Sequence, residues 1–504
     1  MVRRKGGGVG RLVMVLGLTG LVSLVAVAGA HGSYPAVGGG AANLGLSAGP
    51  HRHRERAIRR LESFKASLAA GAAPSPGSPI TSRSRVYHVT DYGADPTGNT
   101  DSSEAISKAI SDAFQVPSDH VLMPGIADLG GAEIHLDGGS YLIGSPLTLP
   151  ASGGGNLKIH SGSLRASDDF PTDRYLIELW ASHSPSSDSS SASSSSYNYE
   201  YITLSGLMLD SNFRGGGIAV VDSLRTTIDN CYIVHFTSDG ILVQSGHETY
   251  IRNSFLGQHI TAGGDPDEKN FSGTGINLMG NDNAVTDVVI FSAAIGILVS
   301  GQANTLAGVH CYNKATGFGG TGIYLKLPQL TQTRIINCYL DYTGIVSEDP
   351  VQLHVSDSFF LGDANVVLKS VNGVINGVNV VDNMFTGSGK GVDIVQLDES
   401  NGKFTNIDQV IVQHNAVRGM ILRSTVAKAS VDGNGSVWTV DFSPVLLFSD
   451  RIQYVQYTLL SDSTSPNHAL RNTSGNRVVI ESDVPVTASV YVAVDQCVPN
   501  IGEF

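Results

Sequence analysis

Charged side chains are sparse in the middle of this sequence, and those present gather in a few places. Asp239 immediately precedes a Gly-Ile pair in FTSDGILVQSG. The stretch GQHITAGGDPDEKNFSG that follows holds His259, Asp265, Asp267, Glu268 and Lys269, and Asp282 sits in Gly-Asn-Asp-Asn. Arg252, His310, Lys314, Arg334 and Asp341 punctuate the apolar runs around them. Two carboxyl groups facing one bond can cleave a sugar linkage by acid–base chemistry. One protonates the leaving oxygen; the other activates water or stabilises the cationic sugar. Arginine and lysine would counter the charge of an anionic polymer, which an acidic protein must do locally. Each residue also has a plainer reading: the acidic stretch as a solvated loop, Asp282 as a turn former, the cations as surface charges.

These residues ride on a ladder of imperfect repeats from Tyr201 to about Asn383, with a period of roughly 20 to 30 residues. Units begin at Thr226, Thr249, Ala284, Thr305 and Thr333, and HVSDSFFLGDANVVLKS and GVNVVDNMFTGSGKGVDIVQL continue the series. Each has an alternating β-branched run, a polar turn residue and usually a Gly-Ile pair that opens a second short strand. Alternation with period two marks half-buried strands. Asn230, Asn253 and Asn337 share one repeat position, with Asp287 and Asp357 in register. Short polar side chains there suit a tight bend repeated rung after rung. One unit cannot bury its own apolar face, so the units must stack. The expected fold is all-β, a right-handed parallel β-helix with rungs about 4.8 Å apart. Such a rod offers a linear polymer one long face, and carboxylates one or two rungs apart would suit retaining or inverting cleavage.

Composition agrees. The chain has 504 residues, 59 of them Gly, and only 15% are charged, which describes a turn-dense β protein. Met1 to Ala30 reads as a secretory signal: Arg3, Arg4, Lys5 and Arg11, an apolar run, then Ala-Gly-Ala. Its removal takes four basic residues and lowers the formal charge from -13 to -17. That balance disfavours nucleic acid and anionic membranes as partners. A secreted, monomeric, extracellular protein of the cell wall is expected, with no integral span after cleavage. Residues 31–85 read as a leader, 86–424 as the solenoid and 425–504 as a small β appendage in which DGNG turns a hairpin. The serine tract 182–196 reads as a surface loop. Cys231, Cys311, Cys338 and Cys497 are too few for a disulfide framework; Cys231 and Cys338 sit too many rungs apart to pair, and a Cys311–Cys338 bridge stays open beside free buried thiols. No metal-ligand spacing appears among them. Asn270, Asn434 and Asn472 head glycosylation sequons.

The first ordered stretch, VYHVTDYGADPTGNTDSSEAISKAISDAF, gives a short strand, a turn cluster and a helix headed by Asp101 with Glu104 three residues on. Ala105, Ile106, Ala109, Ile110, Ala113 and Phe114 line one face of that helix, a fitting plug for a solenoid end. DYGADPTGNTDSSEAISKAI and GGAEIHLDGGSYLIGSPLTLP resemble the opening signature of the pectate-lyase-like β-helix superfamily. FTSDGILVQSGHETYIRNSFLG, GVHCYNKATGFGGTGIYLK and NCYLDYTGIVSEDPVQLHVSDSFFLGD resemble the plant QUARTET-type polygalacturonases, which loosen pollen mother cell wall pectin.

The resemblance implies a glycoside hydrolase of family 28 descent acting on pectin. That family carries Asn-Thr-Asp, Asp-Asp, Gly-His-Gly and Arg-Ile-Lys on successive strands. Here Ser238-Asp239-Gly240-Ile241 keeps the end of the first element, so Asp239 is the best match. Gly273-Thr274-Gly275 stands where the paired aspartates would be, Gly246-His247-Glu248 follows its strand instead of preceding one, and no Arg-Ile-Lys occurs. Asp239 is therefore the expected acid, with Asp265 or Asp282 as partner and Arg252, His310, Lys314 and Asp341 on the polymer. No cofactor is expected for hydrolysis. A pectate lyase needing Ca²⁺ and a non-catalytic pectin-binding solenoid remain as alternatives.

Overall fold

The computed structural model describes residues 85–115, 121–180, 197–259, 272–312, 320–461 and 465–497. The signal and most of the leader, the serine tract, Asp265, Asp267, Glu268, Lys269, Asn270 and Lys314 lie outside these residues.

Each repeat folds as one coil of a right-handed parallel β-helix. Every coil gives one strand to a ten-stranded parallel sheet, whose members include Gly216–Val221, Asp239–Gln244, Thr274–Leu278, Ile295–Val299, Thr321–Leu325 and Ile345–Glu348. The coil then contributes two short strands on either side of a sharp bend, such as Tyr250–Arg252 and Phe255–Gly257, to a 22-stranded sheet. Successive coils pair in parallel and in step: Ile228 with Ile251 with Val285, and Ile241 with Ile276 with Ile297. The Ile-rich columns point inward and are fully buried at Ile218, Ile241, Ile276, Ile297, Ile323 and Ile345. Burying such columns supplies the apolar driving force for stacking, at about 25 cal/mol for each Å² removed from water.

The bend between the paired strands is the expected polar column. Asn230, Asn253, Asp287, Asn337 and Asp357 all have φ between 51° and 53°. Asn and Asp tolerate this left-handed region better than other residues with a side chain, so the spacing of these residues marks the bend in each coil. A second, internal column satisfies buried polar groups: Asn304 Oδ1 accepts from Asn283 N at 2.9 Å and Asn283 Nδ2 at 3.1 Å, and Asn283 Oδ1 accepts from Thr249 N at 2.9 Å.

The Gly of each Gly-Ile pair has a steric reason. At Gly296 a Cβ would lie 2.4 Å from the carbonyl oxygen of Gly322 on the next coil and 2.8 Å from Cys311 Sγ. Both neighbours belong to the packed wall, so Gly296→Ala is expected to cost about 1–3 kcal/mol. A urea-denaturation midpoint measured against the unsubstituted chain checks this.

The helix Ser103–Phe114 covers the first coil and buries Ile106, Ala109, Ile110 and Ala113. It begins later than the sequence suggested. Asp101 stays outside it and accepts from Ser103 N at 2.9 Å and from Gly144 N at 3.0 Å, tying the helix start to the next coil in place of a capping box with Glu104. At the other end Val426–Asp441, Tyr454–Ser461, His468–Asn472 and Arg477–Asp495 form an antiparallel sheet with its own apolar cluster around Trp438, Val478, Ile480 and Val490. The DGNG hairpin does not exist. Asp432 to Gly435 run straight through one 16-residue strand, opposite Ser489 to Val486, and the glycines lead into a bulge before Val437. Gly-rich sequence marks bulges as well as turns. The four cysteines are free, with Cys231, Cys311 and Cys338 buried in the coil interior. No helix among the described residues is long and apolar enough to cross a membrane.

Candidate active site

Asp239 opens its strand in the ten-stranded sheet and lies in register with Thr274 on the next coil. Its Oδ2 accepts a 3.0 Å hydrogen bond from the Tyr175 hydroxyl and a 3.5 Å contact from Asn277 Nδ2. Asn277 alternates with the buried Ile276 and Leu278, so it points outward. The Asp239 carboxylate is thereby fixed at the outer face. Tyr175 reaches it across an intervening coil because Gly216 leaves room: a Cβ on Gly216 would lie 2.2 Å from the Tyr175 ring. Burial raises the Asp239 pKa above its ordinary value, against hydrogen bonds from Tyr175, Asn277 and Thr274 that lower it. Burial and the Asp239 charge push the Tyr175 hydroxyl up as well, so it remains a donor.

Beside Tyr175, the fully buried Glu178 is held by Arg174 through Nε at 2.8 Å and Nη2 at 2.5 Å, and by the Tyr175 amide at 3.0 Å. Trp180, just past the strand Tyr175–Leu179, is 48% exposed. Arg174, Glu178 and Trp180 share with Leu149 and Pro150 a cavity of about 550 Å³. Glu178 is level with Ala219 and so with Leu242, which puts its coil two rungs from that of Asp239, roughly 9.6 Å along the rod.

Further along the same sheet, Glu348 Oε1 accepts from the Tyr324 hydroxyl at 2.6 Å and from Lys369 Nζ at 3.1 Å. This cluster is four rungs from Asp239 at Glu348, about 19 Å. That is too far for one reaction. These residues were legible in principle: Asn277 and Tyr324 lie two residues after the Gly of a Gly-Ile pair, and Glu348 four after.

Among the described residues, the other expected site residues do not converge on Asp239. Asp282 lies beyond the end of the strand Thr274–Leu278, in a left-handed turn at φ 58°, and pairs with His247 Nδ1 at 3.0 Å. Its turn-forming reading is the one the backbone displays. Arg252, His310 and Asp341 belong to the 22-stranded sheet, not to the sheet of Asp239. Arg252 is exposed and bound to Asp229 at 3.1 Å. His310 stacks on Tyr339 at 4.4 Å, and burial lowers its pKa. Asp341 shares a column with Tyr312 and, five coils back, with Asp210. Their rungs were legible in the sequence, but not which of the coil's faces each occupies.

The acidic stretch 260–271 lies outside the described residues, and the residues flanking it sit next to the Asp239 rung. Gln258 Nε2 donates to Ser272 Oγ at 2.8 Å and Gln258 Oε1 accepts from Ser272 N at 3.0 Å, while Thr274 N donates to Ser238 O at 2.8 Å.

Comparison with known proteins follows this geometry. The family model described as rhamnogalacturonase A/epimerase, pectate lyase-like, matches residues 86–319. Polygalacturonase QRT3 of Arabidopsis thaliana is 61% identical over 459 residues, covering 89% of this chain and 93% of that protein. Among solved structures, ORF18 of Geobacillus virus E2 is similar with a TM-score of 0.47 at 11% identity, over 82% of this chain and 78% of that one. PfbA, a surface adhesin of Streptococcus pneumoniae, is similar with a TM-score of 0.47 at 13% identity, over 79% and 99%. By its identity to the Arabidopsis protein along nearly its whole length, the chain belongs to the QUARTET-type polygalacturonase-like proteins of the pectate-lyase-like superfamily.

Proposed function

We propose that the protein is a secreted glycoside hydrolase that cuts pectic polysaccharide along the outer face of its ten-stranded sheet. The observation that carries this reading is Asp239, a carboxyl group on the polymer-facing side whose pKa is raised by burial. A raised pKa extends the pH range over which the group holds the proton it would donate to a glycosidic oxygen. Trp180 offers a ring for a sugar to stack on, and Arg174 a cation for a uronate. Glu178 is committed to Arg174, so the second carboxylate is assigned to Asp265, in the stretch between Gln258 and Ser272, which bond each other near the Asp239 rung. Met1 to Ala30 directs export to the cell wall, and the exposed Asn434 and Asn472 can carry glycans.

The deciding assay incubates the mature protein with polygalacturonate and follows reducing ends and ultraviolet absorbance together. Hydrolysis gives reducing ends without absorbance. Absorbing unsaturated products abolished by a chelator would identify a Ca²⁺-dependent lyase instead. Tight retention of the polymer with no new ends would identify a binding solenoid.

The Tyr175 bond gives a pH prediction. It favours the charged form of Asp239, so Tyr175→Phe is expected to raise the Asp239 pKa further. A proton donor fails as pH rises through its pKa, so the alkaline limb of kcat/KM should move to higher pH in this variant. A full pH–rate profile for both proteins checks the sign.

A further inference from the structure

The first coils carry a cluster on the other sheet that the proposed hydrolase does not use. His88 is in register with His135, and His135 with His160, so three imidazoles stand on successive rungs. Neighbouring rings meet edge to face, with centroids 5.3 and 4.7 Å apart. Asp137 follows in the bend at φ 52°. Its Oδ1 lies 2.6 Å from His88 Nδ1 and 2.7 Å from His135 Nδ1. The two ring nitrogens and the carboxylate oxygen all fall within 4.8 Å of one another. His160 is occupied elsewhere, with Nε2 on Glu133 at 2.8 Å and Nδ1 on Ser161 at 2.8 Å.

Two neighbours make opposite demands on His135 Nδ1. The Asp137 amide donates to His135 Nδ1 at 3.1 Å, which requires a lone pair on that nitrogen. The same nitrogen then faces a carboxylate oxygen at 2.7 Å, acceptor against acceptor. Placing a proton on Nδ1 repairs the second contact and spoils the first. A cation on that lone pair would take the proton's place, satisfying the carboxylate and, like the proton, displacing the amide contact. The carboxylate is also oriented from behind, since Thr90 Oγ1 donates to Asp137 Oδ2 at 3.0 Å. An outer hydrogen bond of this kind is what aims a metal-binding carboxylate.

We propose that His88 Nδ1, His135 Nδ1 and Asp137 Oδ1 bind one divalent transition-metal ion of the zinc class, which clasps the first coil to the second. Two imidazoles and one carboxylate suit zinc and its neighbours, whereas Ca²⁺ and Mg²⁺ take oxygen ligands. With metal–ligand bonds of about 2.0–2.2 Å, tetrahedral ligands stand roughly 3.4 Å apart, so the gaps to Asp137 widen by less than 1 Å on binding. The side chains of His88, His135 and Asp137 are 46%, 30% and 23% exposed, which leaves an entry path and room for a water as fourth ligand. The strand Val86–His88 is the first rung, paired on one side only with the second. A metal bridging His88 to His135 and Asp137 therefore ties down the end of the rod.

The test uses the full mature chain without a histidine tag, stripped with a chelator and dialysed against zinc chloride. Bound metal is read by mass spectrometry, and Co²⁺ substitution by its visible absorption. One zinc per chain and a rise in Tm on loading are expected. His88→Ala, on a side chain that is 46% exposed, should lose the zinc, as should Asp137→Ala. Thr90→Val, which keeps all three ligands, should bind about 10-fold more weakly. Absence of zinc uptake by the unsubstituted chain would overturn the proposal. So would uptake unchanged in both His88→Ala and Asp137→Ala. Neither result bears on the hydrolase reading, whose residues lie on the ten-stranded sheet.

Discussion

Asp239→Asn should lower kcat on polygalacturonate by about 100- to 10,000-fold, the range lost when a positioned general acid is removed. Asparagine keeps the size of the side chain but cannot deliver a proton to the leaving oxygen. Its amide can still meet the Tyr175 hydroxyl, so the wall of the sheet should be undisturbed. KM should accordingly change little, because the groups assigned to sugar contact, Trp180 and Arg174, remain. Initial-rate kinetics from reducing ends would show this split. An equal loss in kcat and gain in KM would point to a disturbed cleft, and unchanged rates would remove Asp239 from the mechanism.

The second large effect concerns stability. Arg174→Ala leaves the Glu178 carboxylate, 1% exposed, without its bidentate partner. Breaking a buried pair from one side costs about 3–5 kcal/mol because a desolvated charge remains. Arg174 is 39% exposed, so water can partly replace it, and a loss of about 2–4 kcal/mol is expected here. Removing both charges together, as Arg174→Leu with Glu178→Leu, should restore most of the loss, since an apolar pair is often no worse than a buried ion pair. Urea titrations of the single and double variants form the cycle. The single variant should also disturb catalysis, because Glu178 accepts the Tyr175 amide and Tyr175 in turn holds Asp239.

The repeat could be read from the sequence because its causes are local and recur. A left-handed bend needs Asn, Asp or Gly at one place in every coil, and close stacking of backbones needs Gly before the buried Ile. Both constraints print a period on the sequence. The cap helix was legible for the same reason, its apolar face being a single continuous stripe. Asp239 was legible only as a fragment of a family motif. Its neighbours were not, because Tyr175 and Glu178 come from coils before the repeat becomes regular, and Tyr175 reaches Asp239 only through the gap over Gly216. His310, Asp341 and Arg252 show the complementary error. A coil turns through more than one face, so residues on correct rungs can still look in different directions. The misplaced hairpin at Asp432 to Gly435 has a similar origin, since local glycine content does not distinguish a reversal of the chain from a bulge in a long strand.

If the ten-stranded sheet is the substrate face and Asp239 its proton donor, a bound oligosaccharide must lie along that sheet. The most direct measurement is a crystal structure of the Asp239→Asn variant with an oligogalacturonide bound. Sugars are expected across successive strands of that sheet, with a glycosidic oxygen beside residue 239 and a ring on Trp180. Sugars seated on the 22-stranded sheet, near His310 and Asp341 and away from residue 239, would contradict it.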